Sequence, residues 1–175
     1  PEPQLVKLSN TKKVYHEDNF ARSPRLTMNF ASVDQRHFDA PALELLGQLL
    51  GDGKKSPLYK VIVEEKKLAP SVYAYSGTQE IAGTFDVVLT GFPSTNLTAA
   101  ENAIFEAFER FEIDEFTTAD LERLKAKYET SFYNGISSVL GKGYQLAYYN
   151  EYFGSHDAIA VELQQVIDVN KSDTK

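Results

Sequence analysis

No cysteine occurs among the 175 residues. Disulfides, thiol nucleophiles and cysteine-held zinc are excluded together. The compartment stays open, because secreted proteins also lack cysteine. Long apolar runs are missing too, and nothing approaches the roughly 20 residues that span a bilayer. A basic surplus is absent: Lys plus Arg is 18 against 25 Asp plus Glu, a net charge of −7. Nucleic acid is therefore an unfavourable partner, because phosphate binding needs a cationic footprint. Internal repeats and low-complexity segments are also missing.

Reactive motifs are equally scarce. The 3 histidines, His16, His37 and His156, are too far apart for one helix to offer two of them to a metal. His37 sits with Asp39 at a strand-to-helix turn and reads as a satisfied turn histidine. His156 precedes Asp157 at a helix start, a capping or surface position. No Gly-x-Ser-x-Gly elbow is present. Asp52-Gly53-Lys54-Lys55-Ser56 lacks the spacer of a phosphate loop and follows a helix instead of a strand. Glu64-Glu65 runs into Lys66-Lys67 and reads as a solvated, charge-balanced helix end. Glu112, Asp114 and Glu115 form a second acidic group with no sign of burial. Tyr144, Tyr148, Tyr149 and Tyr152 recur at helical spacing, which suits packing better than a ligand cage.

What is present is a core-forming chain, 42% hydrophobic and 12% aromatic, rich enough for a folded domain. Residues 1–23 are polar and read as a linker or N-terminal extension, with Lys12-Lys13-Val14-Tyr15 either a short strand or extended. Leu26, Met28 and Phe30 alternate with polar residues, the period of a half-buried strand. Leu43, Leu46 and Leu50 give the helical stripe of 41–50, which Gly51-Asp52-Gly53 stops. Ser56 and Pro57 open a second helix through Leu58, Val61, Ile62 and Glu65. Residues 71–79 and 84–90 alternate as two strands of an antiparallel hairpin. Thr98 with Glu101 reads as a capping box, followed by Ile104, Phe105, Phe108 and Phe111. A further helix begins at Thr117, and two more occupy 144–153 and 157–168. This order predicts an α+β domain: a mostly antiparallel sheet with helices packed on one face. The start at Pro1 and the helix-starting types Ser172 and Thr174 at the close predict a single domain over 24–175, excised from a longer polypeptide.

One stretch carries a resemblance. Ala42-Leu43-Glu44-Leu45-Leu46-Gly47-Gln48-Leu49-Leu50-Gly51-Asp52-Gly53 is followed by Lys55-Ser56-Pro57-Leu58-Tyr59-Lys60 and then by Val63 through Ala74. Its order resembles the non-catalytic domain of the pitrilysin/insulinase zinc metallopeptidases, whose active domain carries His-x-x-Glu-His. Gly91-Phe92-Pro93 and the helix from Thr117 fit the same order. The resemblance implies an inactive, C-terminally truncated domain that helps wall a chamber for extended peptides. Its partner would be a catalytic domain, in the same polypeptide or in a partner subunit, where zinc activates water. No zinc ligand, catalytic residue or cofactor is expected in this chain, since it has no His-x-x-Glu-His.

In family members whose distal half grips the peptide, an Arg and a Tyr do so; here the matching positions are Val63 and Pro70. Valine donates no hydrogen bond from its side chain, and proline has neither hydroxyl nor amide hydrogen. The clamp is therefore expected to be non-functional, and the substrate-binding residues stay unknown. Alternatives are an assembly subunit of the same fold, like the respiratory-chain core proteins, or a stand-alone peptide-binding module. The compartment, bacterial periplasmic or secreted or cytoplasmic, stays open.

Overall fold

The computed structural model describes residues 8–114 and 116–174. Strands β1 (Arg25–Ser32), β2 (Ser71–Thr78) and β3 (Gly83–Thr90) form one sheet in the order β1-β3-β2, antiparallel at both junctions. Register follows from alternation, because a slip by one residue would turn every apolar side chain to water. Leu26, Leu89 and Val72 align across the sheet, and Met28, Val87 and Ala74 align beside them. That face is apolar. The opposite face carries Thr27, Asn29, Asp86, Tyr73 and Tyr75, with both tyrosines exposed. Buried Asp86 is satisfied there by Thr84 Oγ1, which donates at 2.6 Å, and by the Asn29 side-chain amide.

Helix α1 spans Ala40–Gly51, with proline in its first turn. Its leucines point two ways. Leu50, flanked by Leu43 and Leu46, joins the sheet core with Leu58, Ile62, Val87, Leu89 and Ile104. Ala42, Leu45 and Leu49 join a second cluster with Leu121, Leu124 and Val166. Two glycines let α1 lie on the backbone of β2. A Cβ at Gly51 would stand 2.6 Å from Ala74 N, and one at Gly47 3.0 Å from Tyr75 Cα. Each buried leucine stabilises by roughly 1.5–3 kcal/mol relative to exposure, so α1 ties both clusters together.

The predicted second helix exists but is wound differently: Tyr59–Glu65 is a π-helix. Lys66 N donates to Val61 O at 3.0 Å, and Leu68 N reaches Ile62 O at 2.9 Å. The wider turn keeps Val61 and Ile62 buried while Glu65 faces solvent. Ser56 does begin this segment, its Oγ accepting Tyr59 N–H at 3.3 Å.

Helices α2 (Leu97–Asp114), α3 (Thr118–Gly135), α4 (Val139–Phe153) and α5 (Ala158–Asp168) follow the hairpin. The Thr98 capping box is not formed. Asn96 caps α2 instead, its Oδ1 accepting from Thr98 N at 2.8 Å and Ala99 N at 3.1 Å. The true capping box is at α3, where Thr117 and Asp120 bond reciprocally. Helix α4 starts earlier than the spacing of its tyrosines predicts. Ser138 caps it by accepting Gly141 N–H at 3.0 Å, and a Cβ at Gly141 would meet Gly135 O at 2.1 Å. Gly141 is thus a residue that this helix start requires. Lys12 to Tyr15 form no strand, and Glu115 lies outside the described residues.

Candidate functional site

Val63 lies on the π-helix, half-buried and packed against the sheet core. Pro70 is exposed immediately before β2. Leu68 O, just upstream, accepts Thr95 Oγ1–H at 2.6 Å and Phe92 N–H at 3.4 Å. Lys67 takes a left-handed φ of 50°, so the chain turns sharply between the two positions.

A charged frame borders this turn. Arg110 on α2 donates to Glu65 at 2.7 Å and to Glu106 at 2.5 Å, and Lys66 meets Glu106 at 2.8 Å. The Arg110 hydrogen bond holds the Glu65 carboxyl below its ordinary range. The Lys66 bond, then the Arg110 bond, does the same for Glu106. Both carboxylates raise the guanidinium of Arg110. The reading of Glu64-Glu65-Lys66-Lys67 as a charge-balanced end agrees with this, and the structure adds the partner helix. The signal available in the sequence was the Glu106–Arg110 spacing of one helical turn.

A cleft of about 450 Å³ lies between α1, the edge of β2 and α3. Glu44, Gln48, Tyr73, Tyr128 and Ser131 line it, and Lys127 crosses it to Asp52 at 2.6 Å. It is an open, polar-rimmed groove beside the edge strand β2. Behind it, Glu162 on α5 accepts Tyr128 O–H at 2.7 Å and Tyr149 O–H at 2.5 Å. Burial, then the adjacent Glu162 charge, pushes the Tyr128 phenol up. Burial and the Glu162 hydrogen bond do so for Tyr149. Neither the groove nor this three-helix link was visible in the sequence, because its partners are far apart along the chain. Three of the α4 tyrosines serve packing as expected, with ring contacts among Tyr148, Tyr149, Tyr152 and Phe153, whereas Tyr144 is exposed.

The residues present do not fit a zinc site. Among the described residues, no three His, Cys, Asp or Glu side chains gather to hold a metal. His37 Nδ1 accepts Asp39 N–H at 3.2 Å, and its ring stacks on Phe38. His156 stands exposed, 3.5 Å from Asp157. Among the described residues, no helix is long and apolar enough to cross a membrane.

The fold is an α+β domain, with helices on the apolar face of an antiparallel sheet. The chain belongs to the peptidase M16 inactive-domain family, whose sequence profile matches residues 1–128. The resemblance read from residues 42–74 is therefore correct. Zinc protease PqqE of Helicobacter pylori is 29% identical over 103 residues, 59% of this chain and 23% of that protein. A protease structure from Helicobacter pylori superposes with a TM-score of 0.78 at 23% identity, covering 90% of this chain and 38% of that one. An inactive peptidase domain from Bordetella parapertussis gives 0.75 at 18% identity, covering 87% and 82%. The chain thus spans 23% of its curated relative, and its fold is that of the inactive peptidase domains.

Proposed function

We propose that this domain is a non-catalytic wall of the peptide chamber of a zinc metalloendopeptidase. It would support a catalytic domain that carries His-x-x-Glu-His in the same polypeptide or in a partner subunit, where the zinc would reside. Extended peptides are the proposed substrates of the assembly. The observation that carries the reading is membership of an inactive-domain family by a chain without that motif. Two positions support it. Val63 is turned toward apolar packing, and Pro70 has no amide hydrogen to offer a peptide carbonyl. Neither would grip substrate, so the domain's contribution is shape, exclusion of water and support of the neighbouring helices. The organisation follows: residues 1–23 as a connecting segment, and 24–175 as one domain of a longer chain.

Metal analysis and peptide cleavage by the purified chain test this. The expected result is no stoichiometric zinc and no turnover of an unstructured peptide. Tightly held zinc at one equivalent, or robust cleavage, overturns it.

A further inference from the structure

A second cleft, about 270 Å³, opens between the end of α1, the loop 53–58, the C-terminal part of α2 and the start of α3. Lys55, Lys60 and Arg123 stand on its rim above Leu49, Phe111 and Phe116. Among the described residues, none of the three cations stands within ion-pair distance of a carboxylate. Two of the cleft's other charges are paired. Arg110 is held by Glu65 and Glu106, and Asp52 by Lys127. Asp120 accepts the Thr117 O–H at 2.6 Å and N–H at 3.1 Å, and its charge faces Arg123 and Lys55. Three cations against this one carboxylate leave a local positive surplus in one concave place, in a chain of net charge −7. Its apolar wall is equally defined, with the Phe111 and Phe116 rings stacked at 5.6 Å.

We infer that this cleft is a docking site for an acidic peptide segment, with carboxylates on Lys55, Lys60 and Arg123 and an apolar side chain against Phe111 and Phe116. A bare phosphate suits it less well. The backbone N–H groups that cradle phosphate in glycine-rich loops are engaged here inside the loop. Ser56 N donates to Gly53 O at 3.1 Å, Lys60 N to Ser56 O at 3.0 Å, and Tyr59 N to Ser56 Oγ. Phosphate has no use for an aromatic wall, whereas a peptide uses both features. The inference stands apart from the chamber-wall reading, since it concerns what this chain binds by itself.

Calorimetric titration of the full chain with an acetylated, unstructured Asp-Glu-Phe-Asp-Glu-Phe peptide, at low and high salt, tests it. Binding that fades with salt, and that weakens about tenfold or more in Lys55→Glu/Arg123→Glu, is expected. Lys142→Glu, on exposed α4, changes net charge without touching the cleft and should leave binding intact. The milder Lys55→Ala/Arg123→Ala pair keeps the test valid if the reversals unfold. Absence of binding, equal loss in Lys142→Glu, or displacement of the peptide by stoichiometric inorganic phosphate overturns the inference.

Discussion

The sheet end and the α3–α5 end of the molecule are held together by different forces. At the sheet end, Leu58, Ile62, Val87, Leu89 and Ile104 are fully buried and packed against one another. At the far end, α4 buries only Tyr149 and α5 only Val166, whereas Val139, Leu140 and Tyr144 are exposed. The smaller apolar cluster of Leu121, Leu124 and Val166 reaches there, and to it is added a directional link: two phenols on one carboxylate, Glu162. Apolar burial has no preferred direction and scales with area. A hydrogen-bonded link depends on single atoms and on the protonation of its members. The two ends should therefore fail differently.

The largest difference is expected from truncating the sheet core. Ile104→Ala should cost about 2–5 kcal/mol, from lost transfer energy and the cavity left behind. Chemical denaturation measures this, and a loss no greater than that of the tyrosine variant below would erase the contrast. Next is Gly51→Ala. Its Cβ would press on Ala74 N at 2.6 Å, and the displacement of α1 from β2 should cost about 1–3 kcal/mol. An unchanged denaturation midpoint would mean that α1 does not rest on that strand.

At the other end, Tyr149→Phe removes one hydrogen bond to a charged group, worth about 1.5–3 kcal/mol. Hydrogen exchange should quicken in α4 and α5 while β3 stays protected; uniform quickening would show one cooperative unit.

Protonation sharpens the comparison further. The folded phenols of Tyr128 and Tyr149 titrate above the ordinary 10.0. Their stabilisation is complete below that value and is lost as pH rises beyond it, because the unfolded chain ionises first. Alkali should loosen α3–α5 before the sheet, as near-ultraviolet absorbance of the phenolates and exchange at β3 would register. The smallest effect is on the acid side. Glu65 and Glu106 titrate below the ordinary 4.5, so their contribution is present above that pH and lost below it. Glu65 is exposed and Glu106 half-buried, both near enough to solvent to be screened, and Arg110→Ala should only slightly flatten the acid limb of a Tm-against-pH curve.

The same contrast explains what the sequence disclosed. The sheet faces and α1 were legible because apolar residues recur at fixed periods, and Leu26, Val72, Val87 and Leu89 fall where alternation puts them. The element order and the hairpin followed from this. Helix starts were less legible, since Asn96 and Thr98 are both capping types and only geometry chooses between them. The start of α4 before residue 144 was not legible, because composition does not show the Gly135 carbonyl beneath Gly141. Both clefts assemble residues from distant segments, as Asp52 with Lys127 or Lys55 with Arg123, and no local pattern encodes such pairs. The π-turn at 59–65 leaves the apolar spacing nearly that of an α-helix, so periodicity alone does not separate the two.

Cleavage of an unstructured, fluorescence-quenched peptide by the His-x-x-Glu-His catalytic domain, measured with and without this chain, bears most directly on the proposed role. Turnover only when both are present, with none from this chain alone, is the predicted result. Turnover by this chain alone, or a catalytic domain indifferent to its addition, would contradict it.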